Sequence, residues 1–130
     1  MSQPMTAQRP SPPACTVAEP AREWLAVDIG TDETLSTADL LRLLDGLRRE
    51  LSCRLAGSPG AFIGYDSLTV PQGSVAGPGR VIVEARLTGW SERLHNVQYV
   101  VASVPPGAER PAATDRLLVR GTGRTLHVAC

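Results

Sequence analysis

Asp45 lies inside the stretch LSTADLLRLLDGLRRELSCRL, residues 35–55, among six leucines that run from Leu40 to Leu51. A carboxylate in such a setting has the right chemistry for a general base or a nucleophile. Arg48 and Arg49 follow at i+3 and i+4, so a solvated ion pair explains the same aspartate equally well. Ser36 and Thr37 carry hydroxyls at the head of the same stretch, where a helix start also offers unpaired backbone N–H groups to a developing oxyanion. Ser36 doubles as a helix cap, because Asp39 stands three residues on in the pattern of a capping box.

Other candidates are sparser. Tyr65, Asp66 and Ser67 are consecutive, and strict strand alternation would put Tyr65 and Ser67 on one face and Asp66 on the other. His95 and His127 are the only imidazoles; they are far apart in sequence, without HxxxH spacing or an acidic cluster, and no metal site is expected. Cys15, Cys53 and Cys130 are odd in number and show no CxxC, which excludes a disulfide framework and reads as free thiols. GSVAGPG and RGTGR contain glycines, but neither joins a strand to a helix as a phosphate loop requires. Arg120 and Arg124 read as exposed strand residues with enough charge to meet a phosphate.

The elements that must position these residues follow from periodicity. Leu40, Leu43, Leu44, Leu47, Leu51 and Leu55 form one stripe of a helix that starts near Thr37. Gly57 and Pro59 end it. Around that stripe's centre Asp45 lies about 120° away, on the flank. REWLAVDI before the helix reads as a strand. After Gly60 the period becomes two: residues 61–70, 80–90, 94–104 and 116–129 read as strands, with PQGSVAGPG and PPGAERPAATD as connectors. One leucine-striped helix and an antiparallel sheet bury that stripe against one sheet face, an α+β architecture. Residues 1–20 hold five of the eleven prolines and read as a disordered tail; 21–130 read as a single domain.

Composition narrows the classes. The formal net charge is zero, with 13 basic residues against 13 acidic, and a nucleic-acid partner is not expected. Every basic residue is arginine, which removes lysine chemistry. No secretion signal or membrane-length apolar run is visible, so the expected location is the cytoplasm, away from membranes.

The order strand, long helix, four strands resembles the hotdog fold, in which a curved antiparallel sheet of about five strands wraps a central helix. The resemblance covers about residues 23–129 and is most specific from LLRLLDGL through GRVIVEARLTG to LLVRGTGRTLHV. In hotdog thioesterases of the phenylacetate-pathway type and in the related fluoroacetyl-CoA thioesterases, an acidic residue occupies the helix position of Asp45. The fluoroacetyl-type pattern has a hydroxyl residue eight positions earlier, matched by Thr37, and a strand histidine where this chain has Pro71. The His-Gly-Gly of the phenylacetate type is replaced by TLSTAD. The resemblance implies hydrolysis of an acyl thioester carried by CoA or by the phosphopantetheine of an acyl carrier protein, with no other cofactor. Asp45 would be base or nucleophile, Thr37 and the helix-start amides would hold the thioester oxygen, and Ser36, Tyr65 and Ser67 are candidates to line the substrate site. It further implies a homodimer or tetramer with sites at the subunit interface. Two alternatives stay open: chemistry at the acyl β-carbon in a biosynthetic pathway, and a non-catalytic acyl-binding partner.

Overall fold

The leucine stripe makes a 20-residue helix, α1 (Thr37–Ala56), and its two ends are closed as the sequence directs. Ser36 Oγ accepts from the Asp39 amide and the Asp39 carboxylate accepts from the Ser36 amide, a complete capping box. The Ser36 backbone N–H first, then the Ser36 hydroxyl and Arg42, hold the Asp39 carboxyl below its ordinary range. At the other end Gly57 adopts φ 81° and returns its N–H to the Cys53 carbonyl. That left-handed conformation favours a residue without a Cβ.

The computed structural model describes residues 21–91 and 93–127. The expected tail, Cys15, Cys130 and the last residues of the expected final strand lie outside the described residues. The strands are β1 (Arg22–Ile29), β2 (Thr34–Leu35), β3 (Ala61–Thr69), β4 (Val75–Ala76), β5 (Gly79–Ser91), β6 (Leu94–Val104) and β7 (Arg116–Leu126). Five of them form an antiparallel sheet in the order β1-β5-β6-β7-β3. The short β2 and β4 pair with each other beside the start of α1. This pair corrects the expectation that PQGSVAGPG is only a connector; a two-residue strand is too short to leave a period.

Alternation along β5 and β6 places Val81, Val83, Ala85, Val97, Tyr99 and Val101 on the helix side, where they meet Leu40, Leu44, Leu47 and Leu51. Each fully buried leucine contributes roughly 1.5–3 kcal/mol, so this one interface dominates the stability of the domain. The opposite face carries a smaller cluster of Ile82, Ala102 and Val104 under Ala108 of the loop after β6.

The edge strand β3 is irregular. Its pairing with β7 shifts register between Phe62 and Gly64 and again between Tyr65 and Ser67. The glycines of RGTGR make that possible. A Cβ on Gly121 would lie 2.6 Å from the Ser67 carbonyl oxygen, and one on Gly123 would lie 3.1 Å from the Phe62 ring and 3.2 Å from the Tyr99 ring. Gly73, in contrast, has open space around its Cβ direction. Gly121→Ala is therefore expected to lower unfolding free energy by about 1–3 kcal/mol in urea denaturation. Gly73→Ala should stay within about 0.5 kcal/mol of the parent. Equal midpoints for the two variants would contradict this account of β7.

Candidate active site on the flank of the helix

Arg48 is the residue around which the flank is organised. Helical geometry puts it about 60° from the centre of the leucine stripe, between Leu44 and Leu51, so its stem enters the core. Only 3% of it is exposed. Its Nε donates to Asp45 Oδ1 at 3.0 Å, and its Nη1 donates to the Pro59 carbonyl at 2.9 Å and, at 3.4 Å, to Thr125 Oγ1 on β7. The guanidinium lies 5.6 Å from the centre of the Phe62 ring. The expectation of a solvated arginine partner for Asp45 is thereby corrected: the pair has one buried and one half-exposed member. The reason is the length of the arginine stem, which follows the leucines inward while its head finds acceptors there.

The carboxylate itself is 49% exposed, so the ion pair is worth at most about 1 kcal/mol to stability. Its effect is directional: Oδ1 is fixed by Arg48, whereas Oδ2 receives no hydrogen bond among the described residues. Asp45 thus presents one free oxygen outward from a positioned side chain.

Phe62, Tyr65 and Tyr99 stack edge to face beside this pair, with ring centres 4.8 Å and 5.5 Å apart. The chain has only five Phe, Tyr and Trp residues, and three of them are here. Burial raises the Tyr65 phenol above its ordinary value, with the Asp45 charge adding to the rise. Burial raises Tyr99 as well, and its hydroxyl has no hydrogen-bond partner among the described residues. Both phenols remain protonated donors.

The register shift at Tyr65/Ser67 overturns strict alternation in β3. Tyr65 and Leu68 pack toward the helix. Asp66 instead meets Arg124 at 3.2 Å, and Ser67 Oγ lies 3.3 Å from Thr122 Oγ1, both on the outer face. The bulge inserts an extra residue, so Tyr65 and Ser67 part company, and Ser67 stands on the far side of the sheet from Asp45. Ser36 is engaged by the cap. Thr37 Oγ1 donates to the Pro71 carbonyl at 3.5 Å, a long contact that puts Pro71 beside the helix start.

The capping box satisfies the amides of Ser36 and Asp39, leaving those of Thr37 and Ala38 without partners among the described residues. They are the oxyanion donors this helix start can offer. Thr37 and Asp45 are eight residues apart on one helix, roughly 12 Å along its axis, so one subunit does not bring them together.

Two residues that sequence distance kept apart are brought together by the β6–β7 ladder. His95 stacks on Trp90 at 4.4 Å and on His127 at 4.2 Å between ring centres. Both histidines are buried, and neither ring nitrogen of His127 has a partner among the described residues. Burial is the main cause that pushes His95 down to about 4, with His127 as a second; burial and then Arg48 lower His127. Among the described residues, no three His, Cys, Asp or Glu side chains are grouped to hold a metal.

No family model and no curated protein sequence matches this chain. Solved structures do. It superposes on β-alanyl-CoA:ammonia lyase from Clostridium propionicum with a TM-score of 0.65 at 12% identity, covering 83% of this chain and 85% of that one. An acyl-CoA hydrolase from Staphylococcus aureus in complex with coenzyme A gives 0.65 at 9% identity over 83% of this chain and 65% of that one. A 4-hydroxybenzoyl-CoA thioesterase complexed with 4-hydroxybenzoyl-CoA gives 0.53 at 12% identity, with coverages of 81% and 82%. The chain has the hotdog fold. In this hotdog domain Asp45 lies on the flank of α1 that carries Arg48, and Pro71, in the connector after β3, lies beside Thr37. Among the described residues, no helix of the domain is long and apolar enough to cross a membrane.

The buried histidines give the domain a pH dependence with a definite sign. Both have folded values below the unfolded value of about 6.5, so the unfolded chain binds protons first as pH falls. The His95 contribution is complete above about pH 6.5 and is lost as pH drops toward 4, by up to about 1.4 kcal/mol per pH unit, and the His127 contribution is lost in the same direction. Urea denaturation at pH 7.5 and 5.5 should show this loss, and His95→Gln should reduce it. Equal stability at the two pH values would contradict the assignment.

Proposed function

We propose that this hotdog domain hydrolyses an acyl thioester, with Asp45 activating the water or attacking the carbonyl itself. The observation that carries the reading is the half-exposed Asp45 carboxylate, one oxygen tied to the buried Arg48 and the other free, beside the edge strand β3. In the water route the oxygen of water adds to the thioester carbon and Asp45 takes the proton. The carbonyl oxygen becomes an oxyanion against the Thr37 and Ala38 amides, and the C–S bond then breaks, with the proton passing to the thiolate. Tyr65 lines the acyl side.

The 12 Å separation of helix start and carboxylate supports a site shared by two subunits. The outer edge of β3, unpaired among the described residues, and its exposed Phe62 (36%) and Ile63 (51%) support a homodimer joined along that strand, itself able to pair into a tetramer. The leaving thiol is CoA or the phosphopantetheine of a carrier protein in the cytoplasm. The similarity to β-alanyl-CoA:ammonia lyase favours one second reading, elimination or addition at the acyl β-carbon, in which Asp45 would move the α-proton.

A thiol-release assay over a panel of acyl-CoA and acyl-pantetheine substrates tests the proposal. Asp45→Asn and Asp45→Ala are each expected to lower kcat by about 10²–10⁴-fold. Unfolding free energy should fall by about 1 kcal/mol or less in Asp45→Asn, which keeps an oxygen for the Arg48 Nε–H, and by more, up to roughly 3–5 kcal/mol, in Asp45→Ala, which leaves the buried guanidinium without its counter-charge. Unchanged turnover in both variants would remove Asp45 from the mechanism. A change in acyl mass without thiol release would replace hydrolysis by the second reading.

A further inference from the structure

The face of the sheet turned away from α1 holds a groove that the thioester reading leaves unused. Alternation along β5 sends Glu84 and Arg86 to this side, and the loop after β6 stands over it, held by Ala108 on the small apolar cluster and by Arg80 Nε donating to the Ala108 carbonyl at 2.8 Å. Between loop and sheet lies a groove of about 280 Å³, lined by Arg22, Glu84, Arg86, Gln98 and Arg110 among others.

Its charge is unbalanced. Glu84 is only 8% exposed and accepts from Arg22 Nη1 at 2.6 Å. Its other oxygen is 3.8 Å from Arg86 Nη2, too far for a hydrogen bond. One carboxylate therefore faces three guanidiniums, in a chain whose formal net charge is zero. Glu84 neutralises Arg22, which leaves the charges of Arg86 and Arg110 in excess. The Nε–H of Arg86 is also buried without a hydrogen-bond partner among the described residues. A buried donor left unsatisfied is costly, and a ligand acceptor that reached it would relieve that cost.

We propose that this groove binds a dianionic phosphate group, with Arg86 and Arg110 as its principal ligands and Gln98 as a neutral donor. Two uncompensated guanidiniums match a dianion in charge, and their forked donors match its oxygens in geometry. The site is separate from Asp45. It lies on the other face of the sheet and next to β1, the edge strand opposite β3, so it does not rest on the thioester reading. The phosphate is either free or the ester end of a nucleotide.

Calorimetric titration of the full chain with inorganic phosphate, at fixed ionic strength and pH 7.5, tests this. Saturable binding is expected, weakened about tenfold or more in Arg86→Gln and in Arg110→Gln, as loss of a charge-assisted hydrogen bond implies. Arg116→Gln, an exposed arginine outside the groove, should bind like the parent. Arg110 is an exposed loop residue, so its variant carries the test even if Arg86→Gln does not fold. A parallel titration with adenosine 3′-phosphate and adenosine separates the sources: tighter binding of the nucleotide than of inorganic phosphate identifies an ester, and equal or weaker binding identifies free phosphate. Absence of saturable phosphate binding, or equal affinity in the parent and both groove variants, would overturn the proposal.

Discussion

A single buried guanidinium fixes the relation between the helix and the far side of the sheet. Arg48 reaches from the leucine stripe to the Pro59 carbonyl ahead of β3, to Thr125 on β7 and to Asp45 on its own helix. A charge this deep is tolerated only with such partners, and removing them leaves a penalty of roughly 3–5 kcal/mol. The position of Asp45 is thus a consequence of what Arg48 needs. The aromatic cluster follows from the same constraint, since Phe62 covers the guanidinium and the glycines of β7 leave room for the rings.

On the proposed reading the helix serves the reaction at two separate places, for two different reasons. At its start, the capping box consumes two amides and releases two, so the local sequence decides which donors face outward. In its middle, side-chain packing decides which carboxylate oxygen stays free. Neither feature alone performs acyl chemistry. On the proposed reading, their separation along one rigid axis gives the β3 edge its importance, because a second copy joined there would supply the part that the first helix cannot reach.

Most of the fold was legible in the sequence because its main elements repeat a period. The leucines from Leu40 to Leu55 gave α1, the Ser36–Asp39 spacing gave its start, Gly57 gave its end, and alternation from Val81 to Leu87 gave the inner face of the sheet. What stayed hidden was non-periodic or non-local. The bulge at Tyr65/Ser67 is set by pairing with β7, and it turned Ser67 away from the site that alternation had assigned to it. The contact of His95 with His127 depends on a ladder between strands distant in sequence. Arg48 was the partial exception: its angle placed it within the stripe, yet its charge argued for solvent. Only the carbonyl of Pro59 and the hydroxyl of Thr125, neither visible as partners in a linear reading, resolve that conflict.

The central claim is that the Asp45 flank faces a thioester and a second subunit instead of water. A crystal structure with a non-hydrolysable acyl-CoA ketone, in which CH2 replaces the thioester sulfur, tests it most directly. The account predicts the acyl group between two β3-joined subunits, with Asp45 Oδ2 of one subunit pointing at the ketone carbon and the Thr37 and Ala38 amides of the other subunit near the ketone oxygen. An analogue bound elsewhere, or an Asp45 that faces only solvent in the assembled protein, would contradict it.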